Sequence, residues 1–185
     1  MAGQDMKTAI TTIEGFIMER LKSTGIKVSL FTMFLAVLII MPAYIHSQWY
    51  TGPVVNGILL LTVVLIGTPE AIVMGLIPSV VALSSGLLPV ALAPVLPFIM
   101  LGNALFILVF HYFKKTHFMA GLVPAAIIKF AFLHSMTYYI ISGLVSEKIA
   151  ANAAVMMSWP QLFTALIGGT LAWVVLKTLD LQKKK

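Results

Sequence analysis

The chain has 185 residues, of which 60% are hydrophobic and 10% charged, and its mean hydropathy of +1.03 excludes a soluble globular domain and defines an integral membrane protein. It contains no cysteine, which excludes disulfides, zinc-thiolate sites, iron–sulfur clusters and thiol catalysis together. The net charge of +6 comes without a basic patch interleaved with aromatics, so it fits lysines in cytoplasmic loops and argues against a nucleic-acid partner.

Residues 1–27 are polar and include Asp5, Glu14, Glu19 and Arg20. They lack the basic start, apolar middle and small-residue cleavage site of a signal peptide, so the first span is expected to direct insertion itself. Met6, Ile10, Ile13, Ile17 and Leu21 recur at helical spacing, which predicts an amphipathic helix lying along the inner membrane surface or packed on the cytoplasmic ends of the bundle. Residues 28–178 then read as a transmembrane domain of about six helices: Val28–His46, Val54–Ile66, Ala71–Gly86, Leu88–Phe113, Phe118–Gly143 and Trp159–Lys177. The second and third are short and are joined by "GTPE", Gly67–Glu70, a stop-and-start signal; a bent hairpin that stops short of crossing is the alternative. Residues 179–185 form a basic tail. The expected fold class is an all-α integral membrane bundle preceded by an amphipathic N-terminal helix.

With six spans and both termini cytoplasmic, ten basic residues lie inside: Lys7, Arg20, Lys22, Lys27, Lys114, Lys115, Lys177, Lys183, Lys184 and Lys185. Only Lys148 falls outside and Lys129 falls within the membrane. This asymmetry predicts a multi-pass protein of the cell membrane with cytoplasmic termini. Small residues four apart, Gly121 with Ala125, Ala165 with Gly169, and Gly168 with Ala172, are expected to serve close helix packing within the chain.

Polar residues inside the spans are the candidate functional groups. In "AAIIKFAFLH", Lys129 lies eleven residues beyond Phe118, about 16 Å deep at 1.5 Å per residue, near the midplane. An ammonium there needs a cavity, a partner or water. Glu70 is the acidic candidate for an internal pair, and an anionic ligand is the other. His134 and Tyr138, four apart, share a face that lies about 140° round the helix from Lys129. Gln48, Trp49, Tyr50 and Asn56 crowd the first outer loop, while Trp159 and Gln161 open the last span. Aromatic and amide groups thus converge on the outer side, where amides in a dry bundle need partners or a ligand. Asn103, in "MLGNALF", fits an interhelical hydrogen bond. Paired carboxylates, HExxH, a Gly-rich nucleotide loop and GxSxG are all missing, so neither catalysis nor a metal or other cofactor is expected.

From Thr51 to Lys115, the Gly-Pro entry to a short second span, the Gly-rich third and the "P-x-x-x-L-G-N" of the fourth resemble the substrate-binding S components of energy-coupling factor transporters. The resemblance implies a binder of a vitamin-like micronutrient near the outer face, with a transmembrane coupling protein and ATPase subunits as partners. It implies roles for Gln48, Trp49, Tyr50, Asn56, His134, Tyr138, Trp159 and Gln161. Where S components often carry an Ala-x-x-x-Ala docking face on the first span, this chain has Ala36 followed by Ile40. The ending "MMSWPQLFTALIGG", Met156–Gly169, is similar to that of small membrane proteins labelled iron hydrogenases, an activity that a chain without cysteine thiolates cannot support at an iron–sulfur site.

The function expected is non-enzymatic capture of a small organic solute for uptake. The alternatives are a non-transport membrane subunit or assembly factor, and an ion-coupled carrier relaying protons through Lys129, His134 and Glu70. The orientation is directly testable in this cysteine-free chain. Single cysteines at Ser84 and Ser146 are expected to react with an impermeant reagent from outside and one at Thr116 is not; external labelling at Thr116 refutes the six-span topology.

Overall fold

The computed structural model describes residues 24–45, 47–86, 90–115, 117–141, 143 and 146–179; the N-terminal helix expected before residue 24 and the basic tail from residue 180 lie outside them. The described residues form helices and no strands. They are α1 (Thr24–Tyr44), α2 (Gln48–Leu65), α3 (Thr68–Ser84), a 3-10 segment (Val90–Val95) leading into α4 (Leu96–Phe113), α5 (Phe118–Met136) with a π-helical extension (Thr137–Ile141), α6 (Glu147–Met156) and α7 (Trp159–Thr178). Five stretches among them are long and apolar enough to cross a bilayer: Thr24–Tyr44, Gln48–Leu65, Leu92–Phe113, Phe118–Tyr139 and Glu147–Thr178. The 17-residue α3 is apolar but about 25 Å long, short of a hydrocarbon core roughly 30 Å thick. An all-helical, multi-pass membrane bundle is therefore the architecture.

Two elements differ from the sequence expectation. The second helix starts at Gln48, six residues before the predicted Val54, because Ser47 sits extended at the N-cap and the helix runs through Pro53. Most of the expected first outer loop is thus the opening of α2. The segment before the last span, expected as loop, forms α6, where the alanine-rich "EKIAANAAVM" is made of strong helix formers. α6 and α7 are separated by a break at Met157 and Ser158.

Helices α2, α3, α4, α5 and α7 form a closed ring, with α1 against α2 and α3 from outside. The closest pairs are α2 with α7 and α4 with α5. Glycine permits the first: a Cβ on Gly168 would collide with the Pro53 carbonyl and come within 2.9 Å of the Gly57 nitrogen, and one on Gly57 would lie 2.9 Å from the Gly168 oxygen. Gly169 packs on Leu122 of α5, and Gly121 packs on the Lys114 backbone and the Phe110 ring. These small-residue faces are consumed within the chain, as backbone-to-backbone packing in lipid requires.

The buried apolar side chains fall into two clusters. The larger includes Leu38, Leu59, Met74, Phe106 and Leu122, and the smaller joins Leu92, Leu96, Leu133, Ala153 and Met157 at the end of the bundle near α6. Around the perimeter, Val37, Ile40, Val80, Leu108, Ile127 and Leu171 are exposed, the apolar coat that lipid solvates. Lys27, Lys114, Lys115 and Lys177 fall at helix ends on the side opposite α6. Because Gly168 meets backbone, which cannot swing aside, Gly168→Ala is expected to lower stability in detergent by about 1–2 kcal/mol despite better helix propensity. Thr170→Ala, on the exposed face of α7, should leave the unfolding temperature unchanged.

Candidate functional site

Between the two apolar clusters lies a polar layer centred on Lys129, which α5 holds between Ala126 and Leu133 and leaves only 2% exposed. Its Nζ donates to Asn56 Oδ1 at 2.7 Å and to Asn103 Oδ1 at 2.8 Å, and lies 5.2 Å from the centre of the Phe106 ring, within cation–π range. The amides are fixed from behind. Asn103 Nδ2 donates to the Gly75 carbonyl at 2.8 Å, and Asn56 Nδ2 donates to Thr164 Oγ1 at 3.5 Å. Thr164 in turn donates to the Pro160 carbonyl at 2.7 Å. The chain of hydrogen bonds therefore runs α3–α4–α5–α2–α7, through every helix of the ring, and each amide oxygen faces the lysine because its nitrogen is engaged elsewhere.

Local sequence explains why the partners are there. Pro78 has no N–H, so the turn of α3 below it loses the bond to the Met74 carbonyl and is loosened. Gly75 lies in that turn, and a Cβ there would come within 3.3 Å of Asn103 Cβ. The missing side chain lets α4 approach closely enough for Asn103 to reach the carbonyl.

Beside this layer is a cavity of about 360 Å³, whose polar lining includes Gln48, Asn56, Ser79, Asn103, Lys129 and Gln161. Pro42, Val55, Pro78 and Ile99 supply apolar wall. The volume is in the range of small-molecule sites. At its α6 end, Gln48 Nε2 and Gln161 Nε2 both donate to the Met156 carbonyl, at 2.9 Å and 3.2 Å. That carbonyl is available because α6 ends at Met156.

Of the residues singled out in the sequence, Gln48, Asn56, Asn103, Lys129 and Gln161 are brought together in this cavity. The others are not. Trp49 and Tyr50 are 55% and 68% exposed, because the early start of α2 turns them to faces roughly 100° and 200° away from Gln48. Trp159 stacks on Phe130 at 5.0 Å, with Phe163 beside it and His134 on the same ring at 5.6 Å, an aromatic group on the perimeter. His134 and Tyr138 line a separate hollow of about 510 Å³ with Thr137, Ala150, Ala151 and Ala154. Lys129 does not pair with Glu70. The carboxylate sits in the first turn of α3, five residues and about 7 Å along the axis from the Gly75 level at which Asn103 binds, and its buried Oε2 has no hydrogen-bond partner among the described residues.

One contributor escaped the sequence reading: Ser79 carried no signal beyond following Pro78, whereas Asn103 makes the expected hydrogen bond across helices and also lines the cavity. No group of three or more His, Asp or Glu suited to a metal occurs among the described residues. No family model, curated protein or solved structure matches the chain.

The network makes a quantitative prediction. Lys129→Met leaves two buried amide oxygens without a donor and should cost about 1–3 kcal/mol for each. A double-mutant cycle in detergent should give coupling of more than about 0.5 kcal/mol between Lys129→Met and Asn103→Leu, and less than that between Lys129→Met and Glu70→Gln.

Proposed function

We propose that this protein is a membrane-embedded binding component that captures a small organic solute for uptake. In this reading the chain crosses the cell membrane six times, has both termini in the cytoplasm and has no catalytic activity of its own. The observation that carries it is the cavity beside Lys129, where a lysine, four amide side chains and a serine face about 360 Å³ of space inside an otherwise apolar bundle. Polar groups of this kind stabilise a bundle only when all are satisfied internally. Here Gln48 Oε1 and Gln161 Oε1 accept no hydrogen bond among the described residues, which leaves acceptors for a ligand. The resemblance of Thr51–Lys115 to S components supports the same reading and supplies a coupling protein and ATPases as the delivery partners.

A purely structural subunit is the second reading, favoured by the hydrogen bonds that Asn56 and Asn103 make within the bundle, to Lys129, Thr164 and the Gly75 carbonyl. A proton relay through Lys129, His134 and Glu70 has less support, since no hydrogen bond links the three among the described residues.

Mass spectrometry of the denatured, previously purified protein should release one small organic molecule in near-stoichiometric amount. Once that molecule is in hand, Gln161→Ala and Gln48→Ala should each weaken binding by about 1–3 kcal/mol while Trp49→Ala leaves affinity unchanged. A protein that retains no molecule, or whose ligand is indifferent to both glutamines, supports the structural-subunit reading instead.

A further inference from the structure

The chemistry of the solute can be narrowed, given the solute-binding reading, from what Lys129 and Ser79 lack. Held protonated by an anion beside it, the Lys129 amine has three N–H groups, of which two are given to Asn56 Oδ1 and Asn103 Oδ1. Carboxamide oxygens supply dipoles but no charge, and no acidic side chain pairs with Lys129 among the described residues. A buried cation without a counter-charge is costly in a medium where even the paired form is marginal.

Ser79 adds an independent observation. A helical serine or threonine in an apolar setting usually gives its hydroxyl to the carbonyl four residues back, as Thr51, Thr62, Thr137 and Thr164 do here. For Ser79 that carbonyl belongs to Gly75, and it already receives the Asn103 amide at 2.8 Å. Ser79 is 5% exposed, lines the cavity and has no hydrogen bond among the described residues. A buried hydroxyl with its habitual acceptor occupied is a donor held for something else.

From these two donors we infer that the solute is a carboxylate, seated with its acid group against the third N–H of Lys129 and the Ser79 hydroxyl. One ammonium matches one negative charge. A phosphate, carrying close to two at neutral pH, would bring an unbalanced charge into the same apolar surroundings. The rest of the molecule extends along the cavity toward Gln48 and Gln161.

Acetate is the probe, because it is small enough to enter whatever the shape of the natural solute, and acetamide is its uncharged analogue. In the full chain purified in detergent and freed of any retained molecule, sodium acetate should raise the unfolding temperature by about 2–4 °C at about five times its dissociation constant. Acetamide and sodium chloride at the same concentrations should not. The acetate shift should vanish in Lys129→Met and shrink in Ser79→Ala, a variant that starts from the wild-type unfolding temperature because its hydroxyl bonds nothing in the bundle. If Lys129→Met does not fold, Ser79→Ala decides. No acetate shift, an equal shift with acetamide or chloride, or a full shift in Ser79→Ala overturns the inference. So does release of a solute without an acid group from the purified protein, which overturns the carboxylate while leaving solute capture intact. A Lys129-dependent acetate shift in a protein that retains no organic molecule has the opposite meaning, keeping the anion site and removing the uptake reading.

Discussion

Burying one lysine among apolar helices sets the terms for the rest of this bundle. An amine in such a place must be given oxygen atoms, and oxygen atoms on helices are scarce because the backbone carbonyls are bound within their own helices. The chain supplies them as two asparagines from two other helices, and each asparagine needs an acceptor for its own nitrogen. The requirement therefore spreads from α5 to α2 and α4, then to Thr164 on α7 and the Gly75 carbonyl on α3. Displacing any one helix of the ring leaves a polar atom stranded. A network of this kind specifies one arrangement of helices where apolar packing alone, with lipid as good a neighbour as another helix, specifies it weakly.

Such reach is possible only because the backbones are close. Gly57 and Gly168 let α2 and α7 touch through main-chain atoms, while Gly75 on α3 makes room for the Asn103 and Ile107 side chains of α4, and Gly102 on α4 for the Leu133 side chain of α5. Asparagine and threonine are short side chains, so their hydrogen bonds across helices depend on these glycines. The apolar clusters on either side, one running through Phe106 and Leu122 and the other through Leu96 and Leu133, hold the polar layer at a fixed level along the bundle axis.

The all-helical membrane character was legible in the sequence because hydropathy and span length are one-dimensional properties. The burial of Lys129 was legible for the same reason, since eleven apolar-rich positions separate it from the start of its helix. Its partner was not. Glu70 was the obvious choice on charge, yet Asn56 and Asn103 reach the lysine because of how α2, α4 and α5 meet, which is tertiary information. Trp49 and Tyr50 were grouped with Gln48 because they adjoin it in a stretch read as loop, and adjacency in a helix separates side chains instead of gathering them. Ser79 was invisible for a subtler reason: its hydroxyl is free only because a side chain from another helix occupies the carbonyl it would normally use.

The shared use of the Met156 carbonyl by Gln48 and Gln161 has a further consequence. Each amide nitrogen gives that oxygen one of its two N–H groups, so these glutamines still offer donors as well as acceptors, whereas the asparagine oxygens at the other end are already taken by Lys129. The two ends of the hollow are therefore unlike in hydrogen-bonding character. In the solute-capture reading, a guest whose own ends differ meets unlike surroundings in its two directions of entry. That inequality is set by which side-chain groups are already engaged within the bundle.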